Sequence, residues 1–337
     1  MKRTILTLAL IFSSMVVFAQ SEEETLNKWI NTYNELNASK NYAAMISNFD
    51  ACHAEVPSWD FAYYYKGVAE FNTNDHAAAI KDFATFTSKI DTVNSVYLMM
   101  AKSYNALSQP QDALNSLAIY TQKEPNDKNG YSEMANSYLA LKDYASYVNA
   151  LNKVVSIDAT DVAAYKNIAS AYAMQKDFEN AIKAYDKVIE LDANNAEMYF
   201  NRATCKVSLK TAESIAAALE DLNKAESLGK ADLKLYNYKY NCHSMLKNNA
   251  GAIEACTKML ELNPNDLRTL YNRANAYYKD KKYKEAIADM TSVIDNEKVD
   301  DKTKLNALKT RYMCKKSLND AKGAQADLEI INKMSGK

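Results

Sequence analysis

Glycine and proline are scarce, at six and four residues in a chain of 337. Sheets and their hairpins use both residues at turns, so this composition leaves little material for strands and favours helices joined by short connections. Histidine is scarcer still: His53, His76 and His243 lie far apart along the chain. The cysteines Cys52, Cys205, Cys242, Cys256 and Cys314 are odd in number and show no C-x-x-C spacing, and Cys242 and its neighbour His243 point to different helix faces. They read as small buried thiols, not as a metal set or a disulfide frame. No charge dominates, with 41 basic and 42 acidic side chains, which gives no electrostatic case for nucleic acid. There is no G-x-S-x-G, no H-E-x-x-H and no Gly-rich phosphate loop. The chain therefore reads as a non-enzyme with no catalytic residue, no metal and no cofactor.

What the chain does have begins with an apolar run from Ile5 to Phe18, preceded by Lys2 and Arg3 and followed by the small residue Ala19. This is the pattern of a signal peptide over 1–19, cleaved before Gln20, and it predicts an exported protein, periplasmic or secreted. The run is shorter than the ~20 apolar residues of a spanning helix, and no cysteine near the cut offers a lipid anchor, so no membrane span is expected in the mature chain. Without Lys2 and Arg3, 39 basic side chains face 42 acidic ones, a net charge of −3.

The rest is organised by the stretch Val162 to Asn195. Tyr165, Ile168, Ala169 and Tyr172 fall on one helical face. A polar break follows at Gln175, Lys176 and Asp177, and Phe178, Ala181, Ile182, Tyr185, Val188 and Ile189 form a second face. The two faces together resemble the tetratricopeptide repeat (TPR), a 34-residue helix–turn–helix. Small residues at Ala169 and Ala181 let two antiparallel helices approach, while Tyr172 and Tyr185 fill the space beside them.

Numbering Val162 as position 1 and stepping by 34 finds the same unit throughout. Starts fall at 26, 60, 94, 128, 162 and 196. After three extra residues they fall at 233 and 267, and after four more at 305. Position 4 holds Trp29, Tyr63, Tyr97, Tyr131, Tyr165, Tyr199 and Tyr236, then Leu270 and Leu308. Pro57, Pro125 and Pro264 all fall at position 32, just past a helix end where proline belongs. Residues 20–25 are a short lead-in, and 26–337 read as about nine repeats. The resemblance implies an all-α, right-handed superhelical solenoid.

Departures carry their own expectations. Tyr33 replaces a small residue at position 8 of the first repeat, and Tyr147 at position 20 of the fourth predicts a spread helix pair. Tyr240 at position 8 faces the small Cys256 as a size swap that conserves volume. The three extra residues near Lys210–Ile215 are expected between the two helices of the sixth repeat. Positions 7 and 23 should meet across each hairpin, and four repeats place opposite charges there: Lys66/Asp82, Arg202/Asp221, Arg273/Asp289 and Arg311/Asp327. As exposed pairs they would contribute only ~0–1 kcal/mol each and serve to fix register.

In TPR proteins the first helices line a concave groove through positions 2, 5, 6, 9 and 12, and their usual role is protein–protein interaction. Mapped here, the groove is apolar in repeats 2 and 3, at Phe61, Tyr64, Tyr65, Val68 and Phe71, then Leu98 and Met99. The aromatics look surplus to helix packing, and exposed apolar surface of this kind marks binding sites. From repeat 4 the groove is amide-rich, at Asn136, Asn167, Asn201, Asn237, Asn241, Asn272 and Asn275, with Asn31 and Asn34 alike in repeat 1. An amide ladder can pair with the backbone of an extended peptide. Some TPR domains clamp a C-terminal carboxylate; the matching positions here are Lys166, Ser170, Asn201, Lys234 and Tyr238, with the arginine and one asparagine replaced. The resemblance thus implies a non-enzymatic scaffold that binds a peptide or protein partner in its groove. The alternative is an architectural bridge in an envelope assembly, using the convex face and the ends.

Overall fold

The structure is a computed structural model that describes residues 21–336; the expected signal peptide, and its cleavage before Gln20, lie outside them. Every regular element among the described residues is a helix. The chain divides into two compact units, one ending at Ala164 and the other beginning at Tyr165. The first holds α1 (21–38), α2 (Tyr42–Ser47), α3 (Phe49–Glu55), α4 (Phe61–Asn72), α5 (His76–Thr87), α6 (Ser95–Ala106), α7 (Pro110–Lys123), α8 (Lys128–Ala140) and α9 (Tyr144–Ile157). The second begins within α10 (Val162–Met174). It continues through α11 (Phe178–Leu191), α12 (Ala196–Ser208), α13 (Ala212–Ser227), α14 (Leu233–Met245), α15 (Asn249–Leu262), α16 (Leu267–Lys279), α17 (Tyr283–Ile294), α18 (Asp301–Ser317) and α19 (Ala321–Met334).

The turn inside each repeat answers the shortage of glycine. Position 15 is left-handed in all nine repeats, with φ between 55° and 63°. Six of these residues are lysines (Lys40, Lys142, Lys176, Lys210, Lys247 and Lys281), two are Asn74 and Asn319, and one is Ser108. A side chain costs roughly 1–2 kcal/mol in this conformation. The conformation lets the next N–H reach back five residues and close the first helix, as Asp177 N–H does on the Tyr172 carbonyl at 2.9 Å. Position 16 then caps the second helix. Asp177 accepts from the Asn180 N–H at 3.2 Å, and Asp75, Asp143, Asn248 and Asp320 do the same in their repeats.

Both insertions become helix. Three residues lengthen α13 at its start, where Thr211 and Ser214 form a capping box. The expectation of a loop insertion near Lys210–Ile215 is corrected in this respect: the position holds, but the residues form an added turn. Four residues ahead of 305 likewise let α18 start at Asp301 and run for 17 residues. Three and four residues bracket the 3.6 of one helical turn, so each insertion keeps the buried face in phase.

Ala79, Ala101, Ala113, Ala169, Ala181, Ala203, Ala218 and Ala274 are fully buried, as close helix approach requires. Gly67 is needed at position 8 of the second repeat, since a Cβ there would stand 2.8 Å from the Phe83 ring. Tyr147 is buried, yet α8 and α9 pack as closely as the other pairs, so the expected spreading does not occur. In the first repeat Tyr33 is fully buried against Tyr65 and Trp59, and the facing helix is interrupted at Asn48. All five cysteines are buried and free; burial pushes Cys52, Cys242 and Cys314 up to about 11 and Cys256 up to about 12, so they stay protonated.

The four cross-helix pairs form, but not as solvated surface pairs. Asp82, Asp221, Asp289 and Asp327 are 1–7% exposed. Arg202, Arg273 and Arg311 each grip their aspartate with two nitrogens at 2.5–3.0 Å, and Lys66 reaches Asp82 at 2.9 Å. Each arginine also reaches position 25 of the preceding repeat: Asp186 at 2.6 Å, Thr257 at 3.3 Å and Thr291 at 3.0 Å. One side chain thereby sets the register within its repeat and between two repeats. Position 11 completes the cluster with Lys206 and Lys315, at 2.8 and 3.0 Å from the buried aspartate. In the second repeat it is Glu70, which reverses the charge.

Candidate peptide-binding face

The first helices carry the face that the repeat pattern assigns to binding, and the two units build it differently. In the first unit Val68 is buried, and Phe61, Tyr64, Tyr65, Phe71, Leu98 and Met99 are half-buried. Phe61 and Tyr64 pack on the fully buried Phe86, with ring centroids at 5.2 and 5.5 Å. Tyr65 stacks on Tyr33 at 5.2 Å, lies 5.8 Å from Trp59, and donates its hydroxyl to Asn34 at 2.7 Å. Phe71 meets the His76 ring at 5.8 Å. These rings are therefore not surplus to packing: Phe61, Tyr64 and Phe71 pack within their own hairpin, Tyr65 packs against the preceding repeat, and all four stay half-buried. Burial raises the Tyr64 and Tyr65 hydroxyls above the usual tyrosine value, so both remain protonated donors.

In the second unit the face is polar. Asn167 and Asn241 are exposed, and Asn201, Asn237, Asn272 and Asn275 are half-buried. None of these six side chains has a hydrogen-bond partner among the described residues. Asn136, in the first unit, is exposed and reaches only the neighbouring Glu133, at 3.4 Å.

Two cavities lie between α14–α15 and α16. One, of about 340 Å³, brings Lys234, Asn237 and Asn272 together with Leu233 and Arg268. The other, of about 330 Å³, joins Asn272 and Asn275 to Tyr240, Ser244, Lys247, Asn249 and Lys279. The half-buried Lys166 stands on α10. At the clamp positions, Lys234 Nζ stands 4.9 Å over the Phe200 ring and Tyr238 meets that ring edge-on at 5.3 Å. Arg268, Lys247 and Lys279 escape the sequence-based selection. Arg268 occupies position 2, already one of the groove positions, and Lys247 belongs to the recurrent lysines at position 15. Lys279, at position 13, carries no such signal. The chemistry on offer is amide and ammonium hydrogen bonding to a ligand. Among the described residues no group of three His, Cys, Asp or Glu side chains gathers as a metal site, and no helix is long and apolar enough to cross a membrane.

Tetratricopeptide-repeat family models match residues 162–195 and 255–288. The chain carries tetratricopeptide repeats. A solved structure of the C-terminal part of a TPR repeat-containing protein from Cytophaga hutchinsonii matches at 18% identity, over 72% of this chain and 98% of that one, with a TM-score of 0.58. Together with the helix pairs described above, this shows a TPR solenoid fold. A tetratricopeptide repeat protein from Parabacteroides merdae is similar over 72% of this chain and 93% of its own, at 16% identity and a TM-score of 0.43. YrrB, described as a TPR protein with an unusual peptide-binding site, is similar over 57% of this chain and 97% of its own, at 19% identity and a TM-score of 0.47. No curated protein matches the sequence. Tetratricopeptide repeats in general mediate protein–protein interaction.

Proposed function

We propose that the protein is an exported, non-enzymatic scaffold that binds a peptide or protein partner on the first-helix face of its repeats. The observation that carries this reading is the row of amides in the second unit. Asn167, Asn201, Asn237, Asn241, Asn272 and Asn275 recur at groove positions and have no side-chain hydrogen-bond partner among the described residues. An amide offers two donors and an acceptor, which matches the alternating N–H and C=O of an extended chain. In the first unit the half-buried Phe61, Tyr64, Tyr65, Phe71, Leu98 and Met99 add apolar contact around the buried Val68. A carboxylate grip by Lys166, Asn201 and Lys234 is part of the proposal. A bound peptide should lose affinity on C-terminal amidation if that grip is used; equal affinity of acid and amide removes it.

Site-specific photo-cross-linking in the native host tests the main reading. A cross-linker at Asn237 or Asn272 should capture a partner that one at Lys258, on α15, does not. Asn237→Ala with Asn272→Ala should abolish capture at an unchanged melting temperature. Capture that ignores these changes, or that occurs from α15 alone, points instead to a bridging role through the other face. Export is checked by intact-mass measurement of the secreted or periplasmic protein, in which a retained Met1 would overturn cleavage before Gln20.

A further inference from the structure

The two cavities of the second unit share one side chain, Asn272, and an excess of positive charge. Lys247 and Lys279 line the first, and no acidic residue does. Lys234 and Arg268 line the second. Its single acid, Asp266, is already engaged as the cap of α16, accepting from the Thr269 N–H at 2.9 Å and from the Thr269 hydroxyl. Lys234, Lys247, Arg268 and Lys279 form no ion pair among the described residues, a state common to basic side chains of this unit; what sets them apart is position, four cations around two adjoining cavities whose one acid is already engaged.

We infer that this pair of cavities takes two acidic side chains of one extended peptide, with Asn272 holding the backbone between them. The inference rests on the peptide-binding reading above and specifies its ligand. It shares Lys234 with the carboxylate grip but differs from it in reading side-chain acids and needing no chain terminus. Spacing follows from the scaffold. On α14 the second cavity is lined by Leu233, Lys234 and Asn237 and the first by Tyr240 and Ser244. Their centres are about seven residues apart, or roughly 11 Å at 1.5 Å per residue. An extended chain rises roughly 3.3 Å per residue, so the two acids stand three to four residues apart. The first cavity offers the fuller grip, with two ammonium groups and the amides of Asn249, Asn272 and Asn275 converging on it. Burial keeps the Tyr240 hydroxyl protonated there as a further donor.

Selection from a random 12-residue peptide phage library against the full chain tests this. Enrichment of Asp and Glu at a three- to four-residue spacing is expected, together with about tenfold weaker binding of the selected peptides to Lys247→Gln with Lys279→Gln. Both lysines are exposed and unpaired, so the variant should melt like the parent, and Lys247→Arg with Lys279→Arg should restore binding. Selected peptides that lack acids, or that bind the glutamine variant undiminished, overturn the inference and leave the peptide-binding reading standing. A selection that yields no binder overturns both.

Discussion

The Arg273–Asp289 pair offers the sharpest test of how the repeats are held in register. Asp289 is 7% exposed and receives two guanidinium nitrogens at 2.8 Å each, while Arg273 also donates to Thr257 of the preceding repeat at 3.3 Å. Removing the arginine leaves a carboxylate buried without its counter-ion, a change that costs 3–5 kcal/mol in fully buried pairs. The Arg273 side chain retains 20% exposure, which moves the expectation for Arg273→Met to about 3 kcal/mol. Asp289→Leu should cost less, about 2 kcal/mol, because the long arginine stem can turn its head group to water. The double variant replaces the pair with apolar residues, which buried pairs tolerate well, and should cost about 2 kcal/mol for the lost Thr257 contact and imperfect packing. Coupling is then about 3 kcal/mol, several times that of an exposed pair. Repeat arrays do not unfold in one step, so the measurement is native-state hydrogen exchange at α16 and α17 amides. Single-variant losses below about 1 kcal/mol that add within about 0.5 kcal/mol would refute a buried, register-setting pair.

Three further outcomes follow from particular residues. Lys176→Gly removes a left-handed lysine (φ 61°) from the turn before α11 and should stabilise the second unit by about 1 kcal/mol in chemical denaturation; a loss would mean that the lysine side chain holds the turn. Tyr64→Ala should lower the melting temperature of the first unit and cost about 2 kcal/mol, because the ring packs on buried Phe86; an unchanged melting point would show it to be a free binding edge. The Glu70 carboxyl is 4% exposed, and burial, then the nearby Asp82, push it up to about 7. A raised acid stabilises the fold while protonated, and that contribution is lost as pH climbs through the raised value. The first unit should therefore melt lower at pH 8 than at pH 5, and Glu70→Gln should flatten the difference; an equal slope in both proteins would overturn it.

The amino-acid sequence by itself determined what depends on neighbours a few residues away. The 34-residue period, the two helical faces of each repeat and the pairing of positions 7 and 23 were legible because each is a local pattern restated down the chain. Even the left-handed turn was written there, in the lysine, asparagine or serine at position 15, although only the backbone angles reveal why so few glycines suffice. Tertiary structure decided depth and convergence. Whether Asp289 sits in water or under 7% exposure depends on how closely the next hairpin lies, which no single repeat encodes. Phe61 and Tyr64 looked free because their partner Phe86 lies on the other helix of the hairpin. Three inserted residues could be loop or helix by count alone, and the need to keep the buried face of α13 in phase made them a turn. The meeting of Lys247, Asn272 and Lys279 around one cavity likewise exists only where the ends of two first helices approach, because separation along the chain says nothing of distance once repeats stack.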